Sequence, residues 1–271
     1  MPTFLSSLLD NRSYLRGPLL LALAALVASS ASAAPPTPSV PANIFDGILR
    51  DQDPTPEINT SDLQAALAKP TAIVMDARPY DEFAVSHLPG ARSVKGKAGT
   101  TPALYVADVN DVLRQVPDKK KALILYCNGM YCGRSKRFGA ELTQAGYVNV
   151  RRYQLGIPAW RALGGVTQVE KEALLALVAR DKTAVLVDGR DPGSRDTRLN
   201  GAVMIPLAET AQAKNDGRLP MTDHNTRIFV VGASGAQARA VAEAIVKDAF
   251  HNVSFYDGSV AALPTLIAKH K

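Results

Sequence analysis

The chain's 271 residues, 46% apolar and 21% charged, suffice for two ordinary domains with cores of their own and exclude a disordered or fibrous protein. A formal charge of +6 and a pI near 9.3 are mildly basic, but no Lys/Arg stripe with interleaved aromatics accompanies them, which argues against a nucleic-acid partner. The four histidines (His87, His224, His251 and His270) show no metal-ligand spacing, so neither a metal nor another cofactor is expected.

Arg12 and Arg16 precede the apolar run Leu19 to Val27, and Ala31-Ser32-Ala33 follows with small residues. That order is the one found in a secretory signal peptide, here residues 1–33. The apolar run falls short of the roughly 20 residues that cross a bilayer, so no membrane span is expected once the signal is removed. The other reading is an uncleaved N-terminal anchor. Residues 34–56, rich in Pro, Thr and Ser, read as a flexible leader. Export to the periplasm or beyond places the chain where disulfides persist. Its two cysteines, Cys127 and Cys132, stand too close together to be scaffolding, because a short closed loop stabilises least.

Residues 57–166 then alternate regularly. The pattern predicts a helix over Asp62–Lys69, a strand over Ala72–Asp76, a helix over Tyr80–His87 and a strand over Ala91–Val94. A helix over Leu104–Val116 and a strand over Ala122–Tyr126 follow. Next come a helix over Arg134–Ala145, a strand over Asn149–Gln154 and a short helix over Pro158–Leu163. Short apolar strands alternating with helices imply an α/β fold, a mostly parallel sheet with helices on both faces. In such sheets the working site lies beyond the carboxyl ends of the strands, where Cys127 falls.

Cys127 ends an apolar strand and opens a run of small and polar residues before a helix. The first amides of a helix lack intrahelical partners, and loop amides can curl in beside them. A thiolate held there gains hydrogen bonds and the positive end of the helix dipole, so its pKa falls and it becomes reactive. Arg134, Lys136 and Arg137 crowd the first helical turn, where cations cost roughly 0.3–1 kcal/mol each, which points to an anion nearby. Cys132 has three open readings: a thiol that resolves an oxidised Cys127, half of a permanent disulfide, or a small buried residue. Asp76 and Arg78 read as a structural ion pair near the site edge, His87 as a turn-fixing residue and Trp160 as core. Tyr131 divides evenly between solvent and substrate.

Residues 167–271 repeat the first half. Val74-Met-Asp76-Ala-Arg78 returns as Leu186-Val-Asp188-Gly-Arg190, His87-Leu-Pro-Gly90-Ala91 as Arg198-Leu-Asn-Gly201-Ala202, and Asn149-Val150 with Tyr153 as Asn252-Val253 with Tyr256. A period this long indicates duplication of a whole domain. Leu123–Cys127 falls on Ile228–Gly232, so glycine stands where the sulfur stood, and a helix over Ala238–Lys247 follows. The first copy's loop should be two residues longer. Ser234 has no base placed beside it, so the second copy is expected to be chemically inert.

These motifs, in this order, resemble tandem rhodanese-domain proteins. The resemblance rests on Asp76-Ala-Arg78 with Glu82-Phe83, His87-Leu-Pro-Gly90-Ala91, the Cys127 loop and Gly156-Ile-Pro-Ala-Trp160-Arg. It implies sulfur transfer: Cys127 takes sulfane sulfur from a donor such as thiosulfate and passes it to cyanide or a thiol, with a protein thiol as a further partner. Asn128, Gly129, Met130, Tyr131 and Gly133 would supply amides to the persulfide, and Arg134 would orient an anionic donor. One departure stands out. The family's sulfur-transferring members carry a six-residue loop, whereas Cys127 to Arg134 reads Cys-x6-Arg. Phosphate-cradling loops read Cys-x5-Arg, so a phosphatase is not implied. The arrangement resembles long-loop rhodanese domains with a second cysteine, some of which accompany metal- or arsenic-responsive repressors. Two other functions stay open: a thiol–disulfide or sulfur-relay module using both cysteines, and a non-catalytic binding scaffold.

Overall fold

The structure is a computed structural model and describes residues 55–69, 71–194 and 199–266. The signal peptide over 1–33 and nearly all of the leader lie outside the described residues. No helix among the described residues is long and apolar enough to cross a membrane.

The first half builds a four-stranded parallel sheet from β1 (Ile73–Asp76), β2 (Arg92–Ser93), β3 (Leu123–Tyr126) and β4 (Val150–Tyr153), in the order β2-β1-β3-β4. Register is unbroken from Ile73 opposite Leu123 to Asp76 opposite Tyr126, so the polar ends of β1 and the start of the cysteine loop share one edge. Strand residues alternate between the two faces. Met75, Leu123 and Leu125 pack with Phe138 and Leu142 of a helix on one side. Val74, Ile124 and Tyr126 pack with Leu63, Phe83 and Trp160 on the other. Both faces are therefore covered, as a parallel sheet requires, which explains why β3 is apolar along its whole length.

Five helices serve this sheet: α1 (Thr60–Ala68), α2 (Tyr80–Val85), α3 (Val109–Gln115), α4 (Gly133–Gln144) and α5 (Gly156–Ala162). The expected helix over Leu104–Val116 is shorter than the pattern suggests. Residues 105–107 instead run extended beside Lys95–Lys97, with Lys97 N donating to Val106 O and Asp108 N to Lys95 O. Tyr105 is buried there and its hydroxyl donates to Val94 O. The helix begins only where the Asp108 side chain accepts from Asn110 N, an N-cap. Tertiary pairing overrides helix periodicity at Tyr105.

The second half repeats the plan with β5 (Thr167–Val169), α6 (Lys171–Arg180), β6 (Val185–Asp188), β7 (Val203–Met204), α7 (Thr210–Ala213), β8 (Ile228–Gly232), α8 (Gly235–Ile245) and β9 (Val253–Ser259). Its five strands, also parallel, run β5-β9-β8-β6-β7.

His87 joins the two halves. Its backbone exchanges hydrogen bonds with Gln168 of β5, N to O at 2.9 Å and O to N at 2.8 Å. The ring stacks on Phe83 and its Nδ1–H donates to Phe83 O at 2.9 Å, satisfying a carbonyl that the end of α2 leaves open. Nε2 is buried without a hydrogen-bond partner, 3.7 Å from Glu170 Oε1. Burial holds the imidazole neutral, with its pKa lowered to about 4 despite the Phe83 carbonyl and the Asp76 charge, which pull it upward. An unfolded chain takes up the proton near pH 6.5 and the folded one only near 4. Stability is therefore fully present above about pH 6.5 and falls as the pH drops toward 4, by about 3 kcal/mol. Denaturant titrations at a series of pH values should show this decline in the wild type. In His87→Phe, which keeps the stacking, the decline should be reduced; an unchanged profile would assign the acid sensitivity to other groups.

Candidate active site

Cys127 leaves β3 at the carboxyl edge of the first sheet, and α4 begins six residues later at Gly133. Between them the chain folds back on itself. Gly129 has φ +123°, a left-handed value that suits glycine, and Cys132 N donates to Gly129 O at 2.9 Å. This turn brings Cys132 to a Cα separation of 6.2 Å from Cys127, and a disulfide joins the two sulfurs. In this state Cys127 is half of a disulfide and not the free thiolate that the loop pattern suggests. Cys127 is 1% exposed, whereas Cys132 is half-buried.

The loop lies on the start of α5. Gly156 has φ +64°, and a methyl group there would stand 2.3 Å from Cys127 O and 2.4 Å from Gly129 N. Ile157 N donates to Cys127 O at 3.2 Å. Gly156→Ala should therefore cost on the order of 3 kcal/mol, from left-handed strain plus backbone overlap. Gly164, at φ +80° with nothing near its missing Cβ, isolates the conformational part. Gly164→Ala should cost only about 1–2 kcal/mol by thermal unfolding. Equal losses for the two variants would mean that α5 does not press on the loop.

A chain of polar contacts runs from the sheet to the loop. Asp76, fully buried, accepts from Arg78 Nη2 at 2.6 Å, from Arg78 Nε at 2.9 Å and from the Tyr126 hydroxyl. Burial alone would lower the pKa of the Arg78 guanidinium, but the hydrogen bonds and charge of Asp76 raise it. Burial and the Asp76 charge push Tyr126 far above its ordinary value, so it remains a phenol that can donate. Arg78 also donates to Ser86 O at 2.6 Å and, through Nη1, to Asn128 Oδ1 at 3.3 Å. Asn128 Nδ2 in turn donates to Glu82, whose other carboxylate oxygen lies 3.1 Å from Arg134 Nη1.

Glu82 is the residue for which sequence reasoning found no role. It was visible only as part of a motif, and its partners lie about 50 residues away along the chain. The anion that Arg134 meets is this carboxylate. Arg137 donates instead to Tyr105 O at 3.3 Å. Among the described residues, the backbone amides of Asn128, Gly129, Met130 and Tyr131 donate to no protein acceptor. Tyr131 is 70% exposed on the rim, Gly133 is exposed, and Met130 is half-buried. Trp160 packs in the core with Nε1 donating to Val166 O at 2.8 Å. No group of three or more His, Cys, Asp or Glu residues that could hold a metal occurs among the described residues.

In the second half α8 begins at Gly235, and its buried Ala238, Val241, Ala242 and Ile245 answer to Ser135, Phe138, Gly139 and Leu142 of α4 at an offset of 103, against 105 for Leu123 and Ile228 of the strands, so the first loop is two residues longer, as expected. The shorter turn leaves no room for a nucleophile. A Cβ on Gly232 would stand 2.9 Å from Ala238 N and 3.0 Å from Ser234 O. Gln237 Oε1 accepts from the Ala233 amide at 2.9 Å, and Ser234 Oγ caps the helix by accepting from Gln237 N. The Asp188–Arg190 pair keeps the geometry of Asp76–Arg78, with Nη2 to Oδ2 at 2.8 Å.

Among solved structures, the chain is 18% identical to thiosulfate sulfurtransferase from Pseudomonas aeruginosa over 78% of this chain and 43% of that one, with a TM-score of 0.31. It is 17% identical to the 3-mercaptopyruvate sulfotransferase SseA from Escherichia coli over 76% of this chain and 98% of that one, with a TM-score of 0.35. The BH2092 protein from Bacillus halodurans is 26% identical over 42% of this chain and 77% of its own length, with a TM-score of 0.36. The chain thus spans less than half the length of the Pseudomonas protein. No curated protein matches it. The description "Rhodanese-like domain" matches residues 59–163 and again 170–263, segments that hold the central strands of the two parallel sheets. With two successive matches that together cover most of its length, the chain belongs to the rhodanese-like domain family, as two copies in tandem.

Proposed function

We propose that the protein is an exported sulfurtransferase in which Cys127, once its disulfide is reduced, takes sulfane sulfur from a thiosulfate-like donor as a persulfide. The observation that carries this reading is the position of Cys127 at the carboxyl edge of the sheet, opening a loop whose next four amides have no protein acceptor among the described residues. Those amides and the leading end of α4 favour a thiolate, and afterwards the terminal anion of a persulfide. Covalent catalysis divides the transfer into two displacements, each easier than a direct one. Arg134 gives Glu82 one contact at 3.1 Å and has further N–H donors for an anionic donor molecule. The second copy, with Gly232 enclosed by backbone, serves as a partner domain without chemistry of its own.

The test is intact-mass measurement on reduced Cys132→Ser protein treated with thiosulfate, followed by peptide mapping. A gain of one sulfur atom's mass on Cys127 supports the reading. If the chain gains no mass, or gains it elsewhere, the reading fails. A pH titration of Cys127 alkylation in the same variant gives an independent check, since a midpoint near the free-cysteine value of about 8.5 would contradict the amide cradle.

A further inference from the structure

We propose that Cys132 is the internal acceptor for the Cys127 persulfide, so that the protein reduces the sulfane sulfur of its donor to hydrosulfide and needs an external dithiol to reopen the loop. This rests on Cys127 being the persulfide-forming nucleophile, as proposed above. The disulfide joins Cys132 Sγ to Cys127 Sγ itself, the atom that would be the inner sulfur of a persulfide. Attack on an outer sulfur passes that sulfur on, whereas attack on the inner one expels it.

The two steps balance. First, the Cys127 thiolate bonds to the outer sulfur of thiosulfate, and sulfite leaves with the electron pair of the broken S–S bond. Second, Cys132 bonds to Cys127 Sγ, the inner–outer S–S bond breaks, and the outer sulfur leaves as hydrosulfide carrying the proton that Cys132 gives up. Two thiols become one disulfide, and the sulfane sulfur takes up the two electrons. The bonded loop of this structure contains the bond that the second step forms. A dithiol then restores both cysteines and is itself oxidised to a disulfide.

The loop is shaped for the internal step. The Gly129 turn and the Cys132 N to Gly129 O bond hold Cys132 beside Cys127, and the Cys132 side chain does not cap α4. A well-oriented intramolecular partner acts at an effective concentration of about 10⁵ M or more, far above the concentration of any dissolved thiol. Access also differs between the two sulfurs. Cys127 is 1% exposed and Cys132 half-buried, so the incoming dithiol attacks Cys132 and Cys127 leaves as the thiolate.

The experiment uses the full chain, reduced and then freed of reductant, mixed with thiosulfate without oxygen and quenched at intervals. Sulfite, hydrosulfide, free thiols and intact mass are measured. The wild type should release one sulfite and one hydrosulfide per chain while its two thiols are consumed. Cys132→Ser, with Cys132→Ala as a companion, should release sulfite alone and keep the persulfide until dithiothreitol is added. A wild type that releases sulfite but holds a stable persulfide overturns the proposal and leaves the proposed function standing. Hydrosulfide released by Cys132→Ser at the wild-type rate overturns it as well. If no variant releases sulfite, the underlying sulfurtransferase reading fails and this proposal fails with it.

Discussion

Cys127→Ser should abolish sulfite release from thiosulfate, lowering the rate by at least about a thousandfold to the uncatalysed background, because removing a covalent nucleophile leaves only binding contributions. Nothing else in the chain can take over. Cys132 is the one other sulfhydryl source, and as the residue before α4 it lies beyond the turn, not at the strand end. The second copy offers only Gly232, where even a Cβ meets backbone, and Ser234, whose hydroxyl is engaged as a helix cap. The variant also loses the disulfide, which for so short a loop is worth about 2 kcal/mol in the chain-entropy model. Rates and stabilities therefore have to be compared under reductant, where both chains lack the bond. Melting curves that superimpose there, together with lost sulfite release, assign the loss to chemistry. Residual release within tenfold of the wild type would place the nucleophile elsewhere and remove the role assigned to the loop.

Much of the fold was legible because the sheet imposes its own pattern. Strands covered on both faces, such as Leu123–Tyr126, read as continuous apolar runs, and the Asp-x-Arg ends of β1 and β6 stand out because charge follows such a run abruptly. The duplication was legible for the same reason. Two features were not. The short helix α3 was overextended because residues 105–107 pair with Lys95–Lys97, a contact that local periodicity does not encode. Glu82 received no role because its value lies in bringing Asn128 and Arg134 together across the sheet edge, and no spacing along the chain reports that. The cysteines were legible as a pair but not as a bond. Bonding depends on the backbone reversing at Gly129, and a glycine in a polar loop permits that turn without announcing it. Gly156 did carry a signal, being a glycine just ahead of an expected helix, but its close approach to Cys127 O is a tertiary fact.

Asp76→Ala should destabilise the protein by about 3–5 kcal/mol, because it leaves the Arg78 guanidinium buried without its counter-charge. The duplicated fold supplies its own control. Asp188 and Arg190 are buried to 2% and 4% exposure with the same contacts, N to Oδ1 at 3.1 Å, Nε to Oδ1 at 2.9 Å and Nη2 to Oδ2 at 2.8 Å. Asp188 lacks the hydroxyl that Tyr126 donates to Asp76, since Val231 stands at that register position, so Asp188→Ala should cost somewhat less in chemical denaturation. The two variants should part company in activity. Arg78 reaches beyond its carboxylate to Asn128 Oδ1, and Asn128 leads through Glu82 to Arg134, so releasing Arg78 loosens the loop that carries Cys127. Gly232 in the other copy carries no sulfur to misplace. At a temperature where both variants remain folded, sulfite release should fall severalfold or more in Asp76→Ala and stay near wild type in Asp188→Ala. Equal activity losses would mean that the first-copy ion pair supports only the sheet, and that the contacts from Asp76 to Arg134 do not govern the loop.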